Sequence, residues 1–168
     1  MRVSSIKILG VTISSKFSVT DHVSNVISGC APILHALRVL RAHGMCDTAL
    51  NIVYQAVVTA KLTYAASAWW GFTNSADRQR IEAFQRRGVR CGFCRSDLPS
   101  VEQLVEHSDQ LLFSRVLNDK YHVLHRLLPD ERHDMYNLRT RTHNRELAIT
   151  SRLMDCNFLT RLLFKDSY

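Results

Sequence analysis

Residues 48–69 carry a single charged side chain, Lys61, in an otherwise uncharged and mostly apolar segment. Their apolar residues recur with the period of an α-helix, in a stripe formed by Leu50, Val53, Tyr54, Val57, Ala60, Tyr64 and Ala68. The remaining faces hold further apolar residues, namely Ile52, Val58 and Leu62. A helix that is apolar almost all round is stable only when neighbouring elements cover it. We therefore predict a mainly α fold with this helix, capped by Asp47 or Thr48, at its centre.

A second helical period precedes this segment. Its apolar positions fall within one broad stripe at about 100° per residue, formed by Val23, Val26, Ile27, Cys30, Ile33, Leu34, Leu37 and Leu40. Thr20 or Asp21 can cap the start, and Gly44 is the expected stop. Pro32 lies on the opposite face, so a kink is expected rather than a break.

The N-terminal segment 3–13, VSSIKILGVTI, is rich in β-branched residues and contains Gly10. This composition predicts one or two short strands in front of the helices.

Further helices are predicted after residue 72. The next one is capped by Thr73 or Ser75, and its narrow apolar face consists of Ile81, Phe84, Gly88 and Cys91. A short helix is expected from Ser100, and a long amphipathic one over 109–128 that stops at Pro129. Residues 130–145 are polar and predicted to be irregular, and the chain closes with a short helix.

The charge of the chain favours a polyanionic partner. The formal net charge is +7, and the 22 basic residues comprise 17 Arg and 5 Lys. The guanidinium group is a planar fork of donors that matches phosphate oxygens, so this bias favours a polyanion. An ordinary basic surface is the alternative interpretation of the same composition.

The helix after residue 74 concentrates this positive charge. Residues 77–90 hold five arginines against two acids, and the arginines are Arg78, Arg80, Arg86, Arg87 and Arg90. We take them as candidate phosphate contacts. Lys61 is a further candidate, although a lysine inside an apolar stripe more often extends along its stem to the surface.

A second basic segment lies near the C-terminus, where residues 136–147 read YNLRTRTHNREL. Its candidate nucleic-acid contacts are Arg139, Arg141, His143 and Arg145, interleaved with Asn side chains that suit phosphate and base contacts. Two such surfaces on one body would form a groove for a nucleic-acid backbone. The competing interpretation is an ordinary solvated surface on both segments.

Patterns typical of catalysis or metal binding are incomplete in this chain. Cys91 and Cys94 form half of a zinc pattern, but no second pair follows at a suitable spacing. A possible iron-binding triad of the type His-x-Asp…His is formed in sequence by His107, Asp109 and His143. Such triads lie on the strands of a β-barrel, whereas these three residues lie in helical patterns. No nucleophile motif and no glycine-rich phosphate loop is present. We predict no catalytic residue and no metal ligand.

The five cysteines and the N-terminus indicate the compartment. The cysteine number is odd, so a disulfide framework is not expected. The start MRVSSIKILG lacks the apolar core of a signal peptide, and we expect no segment to reach the length of a membrane helix. We predict an intracellular protein, in the nucleus or the cytoplasm, with no membrane partner.

Several short blocks follow one another in a fixed order along the chain: Ile8-Leu9-Gly10-Val11, Asp21-His22, Leu37 to Leu40, Tyr54, Tyr64, Trp69-Trp70, Gln85-Arg86-Arg87 with Arg90, Leu127-Leu128-Pro129, Tyr136-Asn137-Leu138-Arg139 with Arg141, Asn157-Phe158, Arg161 and Lys165-Asp166-Ser167-Tyr168. The ordered set resembles the C-terminal part of non-LTR (LINE-type) retrotransposon reverse transcriptases and covers almost the whole chain. The first block looks like the strand that leaves the polymerase palm and enters the thumb. Gln85-Arg86-Arg87 with Arg90 looks like the Q-R-R-x-x-R helix of that family.

The resemblance implies a thumb and downstream region rather than a working RNA-directed DNA polymerase. The family's palm, with its paired aspartates, would precede residue 1, so we expect a fragment with no cofactor of its own, since Mg²⁺ would belong to the palm. The implied divisions are a palm-edge strand region at 1–19, a thumb-like helical domain at 20–128, and a basic C-terminal segment with a short helix at 129–168.

The implied partner is RNA or an RNA/DNA hybrid, bound weakly and in a salt-dependent way. The strand region at 1–19 would lack the palm that covers it in the family. We therefore also expect it to contact a polymerase palm or to self-associate through exposed apolar surface. The alternative function is a helical protein-interaction module with no nucleic-acid role.

Overall fold

The structure, a computed structural model, describes residues 4–131, 143–147, 151 and 153–165. They belong to two compact units, Met1–Val105 and Glu106–Tyr168. Helices dominate, and the sheet is one short hairpin near the N-terminus, so the predicted mainly α class is confirmed. Short 3₁₀ turns cover Trp70–Phe72, His125–Leu127 and Met154–Cys156.

The N-terminal hairpin consists of β1 (Ser5–Ile8) and β2 (Val11–Ser14), paired antiparallel. The two residues that join the strands have positive φ angles, 46° at Leu9 and 90° at Gly10. Two positive φ angles are the geometry whose twist matches a tight hairpin, and glycine adopts it without strain. The predicted strands are confirmed, and Gly10 is part of their turn.

The first helix, α1 (Thr20–Ala42), ends where the sequence predicted. Gly44 has a φ of 90°, and the N–H of Met45 donates to the carbonyl of Leu40 at 3.0 Å. A left-handed glycine with this bond closes a helix by satisfying its last carbonyls. The core side of α1 carries His22, Val23, Cys30, Leu34 and Leu37.

A π-helical turn sets the register of the central helix. α2 (Asp47–Val53) continues through the π turn Tyr54–Thr59 into α3 (Ala60–Thr63). The buried side chains recur every four residues, at Leu50, Tyr54, Val58, Leu62 and Ala66. In a helix of 3.6 residues per turn this set would wind away from the core. The π turn takes more residues per turn and keeps the set on one face.

The predicted apolar stripe of this helix is therefore wrong in its second half. Val57 and Tyr64, which the 3.6-residue period assigned to the stripe, are 42% and 56% exposed. Val58 and Leu62, assigned to other faces, are in the core instead. Ile52 is 63% exposed, so the helix is not covered all round.

The central helix also breaks before Trp69. Ala65 has a left-handed backbone with a φ of 50°, and α4 (Ala66–Trp69) starts after it. The indole Nε1 of Trp69 donates to the carbonyl of Tyr64 at 2.9 Å across the break. The expectation of one unbroken helix to Trp69 is wrong, and the bend brings Trp69 and Trp70 into the core.

The fifth helix, α5 (Ser75–Arg90), is capped by Asn74. Asn74 Oδ1 accepts from the backbone N–H of Asp77 at 2.7 Å, which satisfies one of the free donors of the first turn. Neither of the predicted caps, Thr73 or Ser75, provides this bond. The predicted apolar face is confirmed by the burial of Ile81, Phe84 and Gly88.

Two predicted helices after Pro99 are in fact one helix, α6 (Val101–Asn118). Its start is a reciprocal capping box: the Ser100 N–H donates to Gln103 Oε1 at 2.9 Å, and the Gln103 N–H donates to Ser100 Oγ at 3.1 Å.

α6 ends ten residues before Leu128, the predicted last residue of the helix, because polar side chains bond to the backbone near Asn118. Asn118 Nδ2 donates to the Ser114 carbonyl at 2.8 Å, and the Tyr121 N–H donates to Asp119 Oδ1 at 2.9 Å. Local bonds of this type compete with continuation of a helix.

The second unit has its own small core. α7 (Phe158–Phe164) confirms the predicted terminal helix and is capped by Asn157, whose Oδ1 accepts from the Thr160 N–H at 2.9 Å. The buried apolar residues of this core are Phe113, Leu162 and Leu163.

By length and composition alone, α1 is long and apolar enough to cross a membrane, with a mean hydropathy of 1.4 over its most apolar window. The expectation that no segment reaches this threshold is wrong for α1. Core helices of soluble proteins and N-terminal signal sequences meet the same threshold. The absence of a membrane partner and the intracellular localisation stay predictions.

Candidate nucleic-acid interface

Three arginines of α5 lie on one exposed face, and we call Arg86, Arg87 and Arg90 the arginine face. Positions 86 and 90 are about one turn apart, and position 87 lies beside both. Gln79 and Ala83 extend the same exposed side toward the start of the helix. None of the three guanidinium groups forms an ion pair or a hydrogen bond with any residue that the structure describes.

Arg78, by contrast, is held by contacts within the first unit. Its Nη1 donates to Glu102 Oε1 at 2.8 Å, and its Nε donates to Thr73 Oγ1 at 3.0 Å. The guanidinium also lies 5.2 Å from the ring centroid of Trp70. A cation beside a carboxylate attracts a phosphate less strongly than a free one, so Arg78 primarily links α5 to the start of α6.

Arg80 is also paired. Its Nη1 lies 3.5 Å from Asp77 Oδ1, and its Nη2 donates to Ser24 Oγ at 3.1 Å. Asp77 is 2% exposed and accepts a further bond from Thr20 Oγ1 at 2.9 Å. Because a buried carboxylate needs such partners, Arg80 contributes to the packing of α1 against α5.

Lys61 takes part in a contact between helices. Its Nζ donates to the carbonyl of Gly29 on α1 at 3.0 Å. The side chain does extend to the exposed surface, as the sequence indicated, but its ammonium group bonds to backbone. A phosphate contact by Lys61 stays a prediction.

The second basic segment is described only in part. Arg139 and Arg141 lie outside the described residues. His143 Nε2 is 2.8 Å from the Leu163 carbonyl. Arg145 pairs with Glu131 at 3.2 Å and donates to the Pro129 carbonyl at 3.1 Å. His143 and Arg145 thus bond within the second unit, and their contact with nucleic acid stays a prediction.

A cleft of about 640 Å³ runs beside the arginine face, between α5 and the loop that precedes α6. The helix side of its lining includes Arg86 and Arg90, and the loop side includes Ser96 and Leu98. Two members of the arginine face therefore also border a concave site of small-ligand size.

Gln85 is the buried polar residue of this cleft, at 5% exposure. Its Nε2 donates to the carbonyl of Pro99 at 2.7 Å. Since a carbonyl only accepts, the NH₂ group of the Gln85 amide must face Pro99, which fixes the orientation of the amide. The remaining polar atom of the side chain is the acceptor Oε1. Gln85 Oε1 is buried and has no hydrogen-bond partner within the described part of the chain.

Arg41 of α1 holds the end of α5. Its Nη1 and Nη2 donate to the carbonyls of Cys91 and Gly92, each at 2.6 Å, and its guanidinium lies 4.7 Å from the ring centroid of Phe93. The last carbonyls of a helix carry partial negative charge. Arg41 offsets that charge, and its Nη2 also lies 3.2 Å from Asp47 Oδ1, so this side chain links α1 and the start of α2 to the end of α5.

Cys91 and Cys94, the half zinc pattern of the sequence, lie at the end of α5 with no additional ligand among the described residues. Within the residues described, no three His, Cys, Asp or Glu side chains group together as metal ligands. All five cysteines are free thiols. Burial raises the pKa of the Cys94 thiol and of the Tyr54 phenol, so both groups stay protonated at neutral pH.

No sequence pattern indicated the cleft or the buried acceptor of Gln85. A helical projection of α5 contains the signal for the arginine face, since Gln79, Ala83, Arg86, Arg87 and Arg90 fall on one side. The cleft had no signal, because it depends on how the loop before α6 returns to α5. Comparisons with protein-family models, with curated proteins and with solved structures find no match for this chain.

Proposed function

We propose that this chain binds the sugar–phosphate backbone of RNA or of an RNA/DNA hybrid through the arginine face. The observation that carries the proposal is that Arg86, Arg87 and Arg90 are exposed together and have no partner among the described residues. Guanidinium groups left free on one face are available to phosphate oxygens, whereas Arg78 and Arg80 are already balanced by carboxylates.

The chemistry of this face predicts weak and sequence-independent binding. Contacts to phosphates position a nucleic acid without reading its bases, and they release counterions. Three contacts supply only a small part of what a specific site requires, so binding is weak. Because these contacts are electrostatic, the affinity falls as the salt concentration rises.

The resemblance to non-LTR retrotransposon reverse transcriptases supports the same proposal. The arginine face coincides with the Q-R-R-x-x-R block, and the family's thumb lies along the template–primer duplex. We propose a binding role for this region, with polymerase chemistry and its Mg²⁺ residing in a palm. In this proposal Arg139 and Arg141 add affinity as an arm on the same nucleic acid.

The direct test is a titration of labelled RNA/DNA hybrid with Arg86→Glu/Arg87→Glu/Arg90→Glu. We expect the variant to lose binding. A matched control reverses three other exposed cations, Lys16, Lys120 and Arg126, and so has the same net charge. Loss of binding in the control to the same extent would show that overall charge, and not the arginine face, holds the nucleic acid.

A protein-interaction role is the second candidate, and one observation favours it. The hairpin exposes apolar side chains at Ile6 (57%), Ile8 (53%) and Leu9 (86%). Exposed apolar residues on an unpaired strand edge are typical of contact surfaces. Sedimentation of the wild type and of Ile8→Lys tests it: self-association that the substitution abolishes supports this role, and a monomer at all concentrations contradicts self-association.

A further inference from the structure

The cleft beside the arginine face combines three kinds of lining. Arg86 and Arg90 supply cationic donors at one side. Ala83, Val89 and Leu98 supply apolar surface. Gln85 supplies a buried acceptor that lacks a donor among the described residues. The volume of about 640 Å³ is ample for a ligand of nucleotide size.

The unpaired Gln85 Oε1 indicates what the ligand must offer. A buried amide oxygen without a donor is unfavourable, and a ligand with an N–H group at this position would remove that cost. The apolar lining residues Ala83, Val89 and Leu98 favour a ligand that also carries an apolar group, such as a planar ring. At the other side it must carry an anion for Arg86 and Arg90.

Glu82 also lines the cleft and restricts where the anion lies. Its Oε1 accepts the backbone N–H of Glu102 at 3.2 Å. A carboxylate repels a phosphate, so the anion belongs beside Arg86 and Arg90 rather than near the start of α6.

We infer that the cleft takes one unpaired nucleotide of the strand that the arginine face holds. The nucleotide's phosphate lies on Arg86 and Arg90, its base lies between Val89 and Leu98, and a base N–H donates to Gln85 Oε1. A base inside a duplex already uses its Watson–Crick edge, so only an unpaired base can make this bond. The site therefore selects bulged or terminal nucleotides over paired ones, without selecting a sequence.

This inference rests on the proposed function, and the experiment separates the two. The probes are two fluorescein-labelled RNA/DNA hybrids of equal length, one fully paired and one with a single bulged nucleotide. The proteins are the wild type, Ala83→Trp and Gln79→Trp. Ala83 is exposed and lines the cleft, whereas Gln79 is one turn earlier on the same exposed side and does not line it. Neither substitution changes the charge of the arginine face, and thermal melting verifies that both variants fold.

We expect the wild type and Gln79→Trp to bind the bulged hybrid about five- to tenfold tighter than the paired one, from stacking and hydrogen bonding of one base. Ala83→Trp fills the cleft and should bind both hybrids equally. Equal affinity of the wild type for both hybrids overturns the inference and leaves the proposed function standing. A preference that survives in Ala83→Trp overturns the assignment of the cleft. No binding of either hybrid overturns the proposed function itself.

Discussion

A Cβ atom added at Gly88 would lie 2.5 Å from the ring carbons Cε2 and Cζ of Tyr54. Tyr54 begins the π turn and is fully buried, so its ring occupies the space that the glycine leaves open. This contact sets how closely α5 approaches the central helix. It also places Gly88 on the core side, opposite the arginine face.

Gly88→Ala should therefore destabilise the protein, although alanine normally favours a helix. Overpacking of this kind costs about 1–3 kcal/mol, against about 0.5–1 kcal/mol that alanine gains over glycine within a helix. We expect a lower urea midpoint. Gly29→Ala in α1 is the control, because its Cβ would meet only the flexible end of Lys61, at 2.6 Å from Nζ. A rise in the midpoint for both variants would contradict the contact.

We expect the free energy of unfolding to depend on pH because His22 is buried. The residue is 4% exposed, its ring packs against Trp69 at 5.0 Å between centroids, and its Nε2 has no partner in the described part of the chain. Burial and, to a lesser degree, the charge of Lys7 lower the pKa of His22. In the unfolded chain the imidazole has a pKa of about 6.5.

As the pH falls below about 6.5, the unfolded chain takes up a proton that folded His22 resists, so the free energy of unfolding decreases. The slope from this one group is at most about 1.4 kcal/mol per pH unit. Urea unfolding of the wild type and of His22→Phe at two pH values measures the effect. The wild type should lose more stability on acidification than the variant, and equal losses would assign the pH dependence to other groups.

Arg41→Lys should loosen the end of α5. One ammonium group cannot reproduce the two bonds of 2.6 Å to the Cys91 and Gly92 carbonyls, and the stacking on Phe93 is lost as well. We expect a loss of about 1–3 kcal/mol in the free energy of unfolding. Arg38→Lys, on the same helix, removes only a 3.5 Å contact to Cys91 Sγ and should be nearly neutral. If the two variants were equally stable, the bidentate contact would contribute little.

The second unit offers a matched pair of carboxylates on α6. Asp109 has a side chain that is 3% exposed and pairs with Arg161 at 3.0 Å, whereas Glu106 is 53% exposed and pairs with Lys165. Removing one partner of a buried pair costs about 3–5 kcal/mol, and an exposed pair contributes about 0–1 kcal/mol. Because Arg161 is itself partly exposed, we expect a loss of about 2–3 kcal/mol for Asp109→Asn.

Glu106→Gln is the control and should leave the denaturant midpoint of the second unit nearly unchanged. Hydrogen exchange of the α7 amides compares the local stability of the two variants at the helix that carries Arg161. Similar protection in both variants would contradict the assignment of Asp109 and Arg161 as the stabilising pair.

Local signals in the sequence were sufficient for the fold class and for several element ends. The β-branched residues of segment 3–13 predicted the strands, and Gly44 predicted the end of α1, because that position requires a positive φ. The periodicity of α5 predicted its buried face, since that helix has a regular 3.6-residue repeat.

Features that depend on tertiary contacts were not predictable in the same way. The π turn at Tyr54–Thr59 changes the residue period, so a search at one fixed period misplaces Val57 and Val58. The pairing of Arg78 depends on Glu102, which is distant in sequence, and no local pattern separates Arg78 from Arg86. Charge counting therefore identified the helix that carries the arginine face but not the arginines that stay free.

The proposal that Arg86, Arg87 and Arg90 hold phosphates is tested most directly by the salt dependence of RNA/DNA hybrid binding. Each phosphate contact contributes roughly −0.7 to −0.9 to the slope of log K against log salt concentration. Between about 50 and 200 mM salt, we expect the slope of Arg86→Gln/Arg87→Gln/Arg90→Gln to be shallower than that of the wild type by about 2–3. Equal slopes for the two proteins, or a wild-type affinity that does not change with salt, would contradict the proposal.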